Sequence, residues 1–213
     1  MSKSQKTILL VFLIIFVDQF SKLWVKTHLQ LGEGIHVFDW FYILFVENNG
    51  MAFGIEFIGK IFLSLFRIIA VCLLVYYIYK LLKGNKTTYG YIASVAAVLA
   101  GAIGNIIDCV FYGIMFTDSY GRVAKMFPPE GGYETLFRGK VVDMLYFPII
   151  ESSFPSWIPF VGGQDFVFFS PVFNLADSAI CIGIFVIILF YRNTLKTELD
   201  ALDDIQIRKV NEA

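Results

Sequence analysis

FNLADSAICIGIFVIILF, residues 173–190, is the stretch that decides the fold class. With its neighbours it reaches the roughly 20 mostly apolar residues that one crossing of a bilayer requires. Asp177 lies near its start, and a second aspartate, Asp143, lies in the shorter apolar stretch VVDMLYF (141–147). A carboxylate near hydrocarbon costs roughly 2.5–3.5 kcal/mol even on the lenient insertion scale. Carboxylates that stay there do chemistry, carry ions or hold helices together.

The composition of the whole chain is that of a membrane protein. Of its 213 residues 57% are hydrophobic, and the mean hydropathy is +0.69, far from an average soluble domain. The 23 Phe and 11 Tyr suit a lipid-facing protein with aromatic belts. A net charge of −1 provides no basic surface for nucleic acid. The three cysteines lie in apolar runs without CxxC spacing, which indicates small buried hydrophobes.

Four stretches are long and apolar enough to span a membrane: 7–26, 60–82, 90–113 and 171–191. We therefore expect an all-α membrane protein, a four-helix bundle formed by a single domain over residues 1–213. The basic residues that flank these spans fall on one side when the spans alternate: Lys3, Lys6, Lys80, Lys83, Lys86, Arg192 and Lys196. This asymmetry predicts that both termini are cytoplasmic.

Two segments then face outward. Residues 27–59 alternate aromatic and β-branched residues and contain an Asn-Asn-Gly turn signal, which predicts strands. Residues 114–170 form a long outer loop with several Gly and Pro residues. The polar tail, 195–213, is predicted to be a frayed cytoplasmic helix.

Polar residues recur at helical spacing inside the spans. Asp18 and Lys22 are four residues apart and share one helix face, as an ion pair that either packs the bundle or acts on a substrate. Asn105 and Asp108 continue a stripe of small residues in the third span, which indicates either a helix-packing seam or a nearby site.

Asn174 and Asp177 are three residues apart, and in the fourth span they would share a face. Asp177 would lie just beneath the outer interface, where Asp143 of the outer loop could meet it. Two close carboxylates cannot both ionise cheaply, so such a pair shares a proton, as the aspartic proteases illustrate. From spacing alone a catalytic dyad, an ion or proton site of a transporter, and a purely structural pair all remain open.

Five blocks of the sequence resemble those of a known family, the lipoprotein signal peptidases (signal peptidase II). They occur in the family's order across nearly the whole chain: DQFSK (18–22), NNGMAF (48–53), GAIGNIID (101–108), VVDM (141–144) and FNLADSAI (173–180). Each block alone is a weak signal, and together they are specific.

The resemblance implies a four-span aspartyl endopeptidase of the bacterial inner membrane, with a small extracytoplasmic β-sheet cradle and its active site near the outer face. Such an enzyme needs no cofactor or metal, and it removes the signal peptide from diacylglyceryl-modified prolipoproteins before the lipidated cysteine. It also implies membrane lipid as a partner and inhibition by the cyclic peptide globomycin. By match to the motifs, Asp143 and Asp177 would be catalytic, and eight residues would bind substrate or support the site: Asp18, Lys22, Asn48, Gly50, Asn105, Asp108, Asn174 and Ala176.

Two departures from the family pattern stand out. Cys109 occupies the position after Asp108 where the family has Arg, and Arg122 or Arg138 is a hypothetical replacement for that cation. The stretch between Cys109 and VVDM is also unusually long, and it could form an extra lid or a partner surface.

Overall fold

The structure is a computed structural model that describes residues 1–49, 60–84, 87–168 and 171–200. Its helices are α1 (Lys3–His28), α2 (Lys60–Gly84), α3 (Tyr89–Ile107), the short α4 (Gly113–Met115), α5 (Leu175–Phe190) and α6 (Arg192–Asp200). A π-helical turn, Asp108–Tyr112, joins α3 to α4. The strands are β1 (Gly34–Phe38), β2 (Phe41–Asn48), β3 (Val141–Tyr146), β4 (Ile150–Ser153), β5 (Asp165–Phe168) and β6 (Val172–Phe173).

Within the described residues, three helical stretches are long and apolar enough to cross a bilayer: Lys3–His28, Ser64–Gly84 and Tyr89–Met115. They coincide with the first three predicted spans. Large apolar side chains on these helices are exposed, such as Phe12, Phe66 and Leu73. Lipid would cover such faces, whereas water would not tolerate so large an apolar surface.

The predicted fourth span, 171–191, was wrong at its start. Residues Val172–Phe173 form β6, and the helix begins only at Leu175. With 16 residues α5 rises about 24 Å, less than the roughly 30 Å of a bilayer core. By length and composition, the described residues provide a fourth candidate span only if α5 and α6, which are bent by 88° relative to each other, are counted as one. The tail, predicted as a helix from residue 195, is helical from Arg192 to Asp200. Residues 201–213 lie outside the described part of the chain.

The chain divides into two compact units. The first comprises 1–16, 67–104 and 176–213, and its described residues are mainly helical. Its core joins α2 and α3 through Ile78, Leu81, Tyr91, Ile92, Val95, Ala96 and Leu99. At Gly101 a Cβ atom would collide with the carbonyl of Ala176, so the absence of a side chain permits α3 and α5 to approach closely.

The second unit comprises 17–66 and 105–175 and contains the sheet. Its four strands pair antiparallel in the order β1-β2-β3-β6. This confirms a small sheet in the predicted segment 27–59. The strands β3 and β6 were not predicted, because VVDMLYF contains no polar alternation. The strands β4 and β5 form a separate hairpin.

One face of this sheet carries the core of the second unit. Its buried residues are Val25, Leu29, Phe45, Tyr112, Phe116, Ala124, Val142 and Met144. They come from α1 and the residue after it, from β2, from the π-helical turn and the long segment that follows, and from β3.

The long segment 113–140 folds back on the chain that precedes it. Its last residues bond to the π-helical turn, with N–H donors of Phe137 and Gly139 on the carbonyls of Val110 (3.2 Å) and Cys109 (2.8 Å). A Cβ at Gly139 would collide with the carbonyl of Asp108, so this approach requires glycine.

Candidate active site

Asp143 lies on β3, between β2 and β6, and is only 2% exposed. The side-chain amide of Asn48 donates a hydrogen bond to its Oδ2 at 3.2 Å, and that of Asn174 donates to its Oδ1 at 2.7 Å. Each carboxylate oxygen therefore has an amide donor, which fixes the orientation of the carboxylate and offsets part of the cost of burying it.

A group of charged and polar residues, here called the Lys22 cluster, consists of the buried Asp18, Lys22 and Asp108 and the half-buried Asn105. The ammonium of Lys22 lies 3.0 Å from Asp18 Oδ2, 2.9 Å from Asp108 Oδ2 and 3.0 Å from Asn105 Oδ1. The contact between Asp18 and Lys22 that helical spacing predicted is confirmed. Since the three charged side chains are at most 1% exposed, each charge depends on its partners.

The Lys22 cluster is connected to Asp143 by two routes. Asn105 Oδ1 accepts a hydrogen bond of 3.1 Å from the same Asn174 amide that donates to Asp143. Asp108 Oδ2 accepts a bond of 3.2 Å from the backbone N–H of Val142, the residue before Asp143. Six of the eight predicted support residues are thus connected to Asp143, either by a direct hydrogen bond or through the Lys22 cluster.

Two of the other predicted residues, Ala176 and Asp177, belong to α5. Asp177 is half-buried in the first turn of α5, three residues after Asn174, where the helix dipole favours a carboxylate. Asn174 directly precedes α5, so it is not a residue of the helix, as the predicted span had it. Ala176 is fully buried next to Gly101. Gly50 lies outside the described residues.

Sequence reasoning missed Gln19, which belongs to the same polar network. Its amide Nε2 donates to Asp108 Oδ1 at 2.9 Å and to Asp18 Oδ2 at 3.1 Å, and its Oε1 accepts from the Tyr112 hydroxyl at 3.2 Å. The available signal was an amide side chain directly after Asp18 within an apolar stretch.

A second charged group, around Glu47, was also missed. The ammonium groups of Lys26 and Lys140 lie 2.5 and 2.8 Å from its two carboxylate oxygens. Burial alone would raise the pKa of Glu47, but the charge of Lys26 and hydrogen bonds from both lysines outweigh burial and lower its pKa. Burial would lower the pKa of Lys140, yet Glu47 raises it above its ordinary value. A usable signal was the helical spacing of Asp18, Lys22 and Lys26 on one face of α1.

The two arginines suggested as substitutes for the family cation at Cys109 do not contact Asp108 or Asp143 through any salt bridge within the described residues. Arg122 pairs with Asp118 on the surface, and Arg138 is exposed. The cation that contacts Asp108 is Lys22. Over the part of the chain described, no three His, Cys, Asp or Glu side chains are grouped as metal ligands.

Comparison with known proteins places this arrangement in a family. The family model for signal peptidase (SPase) II matches residues 10–192. A lipoprotein signal peptidase of Porphyromonas gingivalis is 52% identical over 90% of this chain and 84% of its own length. One from Amoebophilus asiaticus is 33% identical over 93% and 82% of the two chains.

Two solved bacterial membrane enzymes have a similar fold. One, determined by the in meso method at 2.3 Å, has a TM-score of 0.59 at 24% identity over 89% of this chain and 90% of its own. The other, at 1.9 Å, has a TM-score of 0.58 at 26% identity over 87% and 91%.

The fold and the site define a membrane protein of apolar helices with a small antiparallel sheet that carries a buried aspartate. The chain belongs to the signal peptidase II family. Family membership makes it a peptidase, in agreement with the resemblance seen in the sequence.

Proposed function

We propose that this chain is an aspartyl endopeptidase of the bacterial inner membrane. It removes the signal peptide from diacylglyceryl-modified prolipoproteins. Its family membership and its relatives, which are lipoprotein signal peptidases, support the reaction class. The observation that carries the choice of residues is the setting of Asp143, which is buried and receives an amide hydrogen bond at each carboxylate oxygen.

In the proposed mechanism Asp143 and Asp177 share a proton and hold one water. One carboxylate takes a proton from the water as the water oxygen attacks the scissile carbonyl carbon. The other carboxyl group donates a proton to the carbonyl oxygen. The tetrahedral intermediate then collapses: the C–N bond breaks, and the amine of the lipidated cysteine leaves with a proton from the pair.

Supporting residues would hold Asp143 for this step. Asn48 and Asn174 orient its oxygens, and the Lys22 cluster fixes Asn174 through Asn105 and β3 through Asp108. Preorganised donors in a water-poor site stabilise charge that develops in the transition state. Gly50 and Ala176 keep the supporting role that the family motif implies.

The substrate's lipid would lie among apolar side chains near Asp143. A groove of about 380 Å³ is lined by Phe20, Ser21, Trp24, Val25, Ile43, Met144, Leu145 and Leu175. Leu145 is two residues after Asp143 in β3 and on the same face of the strand, so an acyl chain against Leu145 would lie close to the reacting carboxylate. Residues 36–54, which include β2, would act as a clamp over the substrate. Their deletion should then abolish cleavage without unfolding the helices.

The proposal also assigns the orientation of the chain in the membrane and the place of the signal peptide. The basic flanks of the spans support cytoplasmic termini and an active site near the outer face. The signal peptide would lie along the helices, and a globomycin-type cyclic peptide would compete with it.

Purified protein given synthetic precursor peptides tests this function. A diacylglyceryl-modified peptide should be cut directly before the lipidated cysteine, as identified by mass spectrometry of the products, and globomycin should block the cut. The unmodified peptide should stay intact. Cleavage at another bond, or equal cleavage of both peptides, would contradict the proposal.

A further inference from the structure

Glu47 carries a buried carboxylate that the proposed mechanism does not use. It lies on β2, directly before Asn48. Lys26 Nζ lies 2.5 Å from its Oε1, and Lys140 Nζ lies 2.8 Å from its Oε2. Ser119 Oγ donates to Oε1 at 3.1 Å and accepts from Lys26 at 3.1 Å. These four residues, Lys26, Glu47, Ser119 and Lys140, are here called the Glu47 cluster.

The surroundings of the Glu47 cluster differ from those of a surface ion pair. The side chain of Lys26 is 0% exposed and that of Glu47 3%. The ring centroids of Phe45, Phe116 and Tyr133 lie 5.2–5.6 Å from the Lys26 ammonium nitrogen. Surface pairs contribute little, whereas removing one partner of a buried pair leaves an uncompensated charge. The geometry of this cluster is therefore strongly constrained.

The Glu47 cluster joins elements that are far apart in the sequence. Lys26 comes from α1 and Glu47 from β2, whereas Ser119 and Lys140 both belong to the segment 113–140, which ends at Lys140 directly before β3. The carbonyl of Ser119 also accepts a 3.0 Å bond from the backbone N–H of Leu31. Through Ser119, the long segment is thus attached to the face of the sheet that carries the core, here called the back of the sheet. The end of the segment is attached to the π-helical turn.

The strand pairing connects this cluster to Asp143. In the register of β2 and β3, Val46 lies opposite Asp143 and Glu47 opposite Val142. Side chains alternate along a strand, so Glu47 faces the core while Asn48 faces the same side as Asp143. Asn48 then donates to Asp143 Oδ2 at 3.2 Å. A displacement of Glu47 would move Asn48, its covalent neighbour.

We propose that Glu47 is a positioning residue and that the segment 113–140 is a brace for β2. By holding Glu47 between Lys26 and Lys140, the brace fixes Asn48 against Asp143. The segment then acts from the back of the sheet and is not a lid over the substrate. This inference rests on the proposed role of Asp143.

The test is the variant Glu47→Gln, assayed for cleavage of the diacylglyceryl-modified peptide. We expect kcat to fall roughly 10- to 100-fold, as displacement of a reacting group does, and KM to stay within about twofold. Glu130→Gln makes the same charge change at an exposed position of the same segment and should keep the wild-type kcat. If Glu47→Gln does not fold, Lys140→Met removes one ion pair at a partly exposed side chain and should lower kcat in the same way.

A double-mutant cycle separates positioning from general weakening of the fold. If Glu47 acts through Asn48, adding Glu47→Gln to Asn48→Ala should lower kcat little further. Independent, multiplicative losses would overturn the inference, as would a kcat for Glu47→Gln equal to that of Glu130→Gln. Asp143→Asn in the same assay tells the two proposals apart. If it is active, the proposed function fails, and if it is inactive while Glu47→Gln is fully active, only the positioning role fails.

Discussion

Asn174 donates a hydrogen bond of 2.7 Å from its side-chain amide to Oδ1 of Asp143. The same amide donates to Asn105 Oδ1 at 3.1 Å, so one side chain connects the buried aspartate to the Lys22 cluster. Asn174 also precedes the helix that carries Asp177 by one residue. One asparagine is therefore bonded to the first proposed catalytic residue and lies three residues before the second.

Asn174→Ala should remove this connection. We expect peptide cleavage to fall roughly 100-fold, because Asp143 loses the donor that fixes one oxygen. Asn193→Ala is the matched control, since Asn193 is exposed on α6. Wild-type cleavage by Asn174→Ala, measured with purified protein, would show that the bond does not matter for catalysis.

Lys22→Met should destabilise the protein by about 3–5 kcal/mol, because Asp18 and Asp108 would keep buried charges without their cation. Lys125→Met, at an exposed position, should have little effect. Thermal unfolding in detergent measures both. Equal midpoints for the two variants would mean that the Lys22 cluster contributes no stability.

Much of this cluster could be predicted from the sequence. Asp18 and Lys22 repeat at helical spacing, so their contact followed from local geometry. Lys26 continues the same spacing, but its partner Glu47 lies in a strand, and no local pattern fixes which strand packs against α1. The cluster's attachment to β3 was also hidden, since VVDMLYF is apolar apart from Asp143 and shows neither the alternation of a strand nor the spacing of a helix.

The predicted fourth span, 171–191, shows a different limit of prediction from sequence. Hydropathy placed its start at Pro171, because Val172 and Phe173 are as apolar as the helix that follows. Pairing of β6 with β3 takes these residues into the sheet instead. Short apolar runs suit a strand or a helix equally, and tertiary pairing decides between them.

The stability that Glu47 contributes should depend on pH in one direction. Its pKa in the folded state is below the ordinary 4.5, so its contribution is complete above pH 4.5 and is lost as pH falls through the lowered pKa. The unfolding midpoints of wild type and Glu47→Gln should therefore differ near neutral pH and converge below pH 4.5. A difference that stays constant down to pH 3 would contradict this ion pair, and Glu130→Gln should differ little from wild type throughout.

Gly101→Ala should loosen the contact between α3 and α5. Its Cβ would collide with the carbonyl of Ala176 and lie 2.7 Å from Ile180 Cγ1. Overpacking of this kind costs about 1–3 kcal/mol. Gly84→Ala is the control, since a Cβ there has no neighbour within 4 Å. Unfolding midpoints that are the same for both variants would exclude a close helix contact at Gly101.

The most direct test of the central claim is complementation of cells that lack their own signal peptidase II with Asp143→Asn and, separately, Asp177→Asn. Asp165→Asn, an exposed position, is the control. Each of the first two variants should accumulate uncut diacylglyceryl-modified precursor at normal protein levels, while the control processes it. Normal processing by either Asp143→Asn or Asp177→Asn would contradict a mechanism in which both carboxylates act on one water.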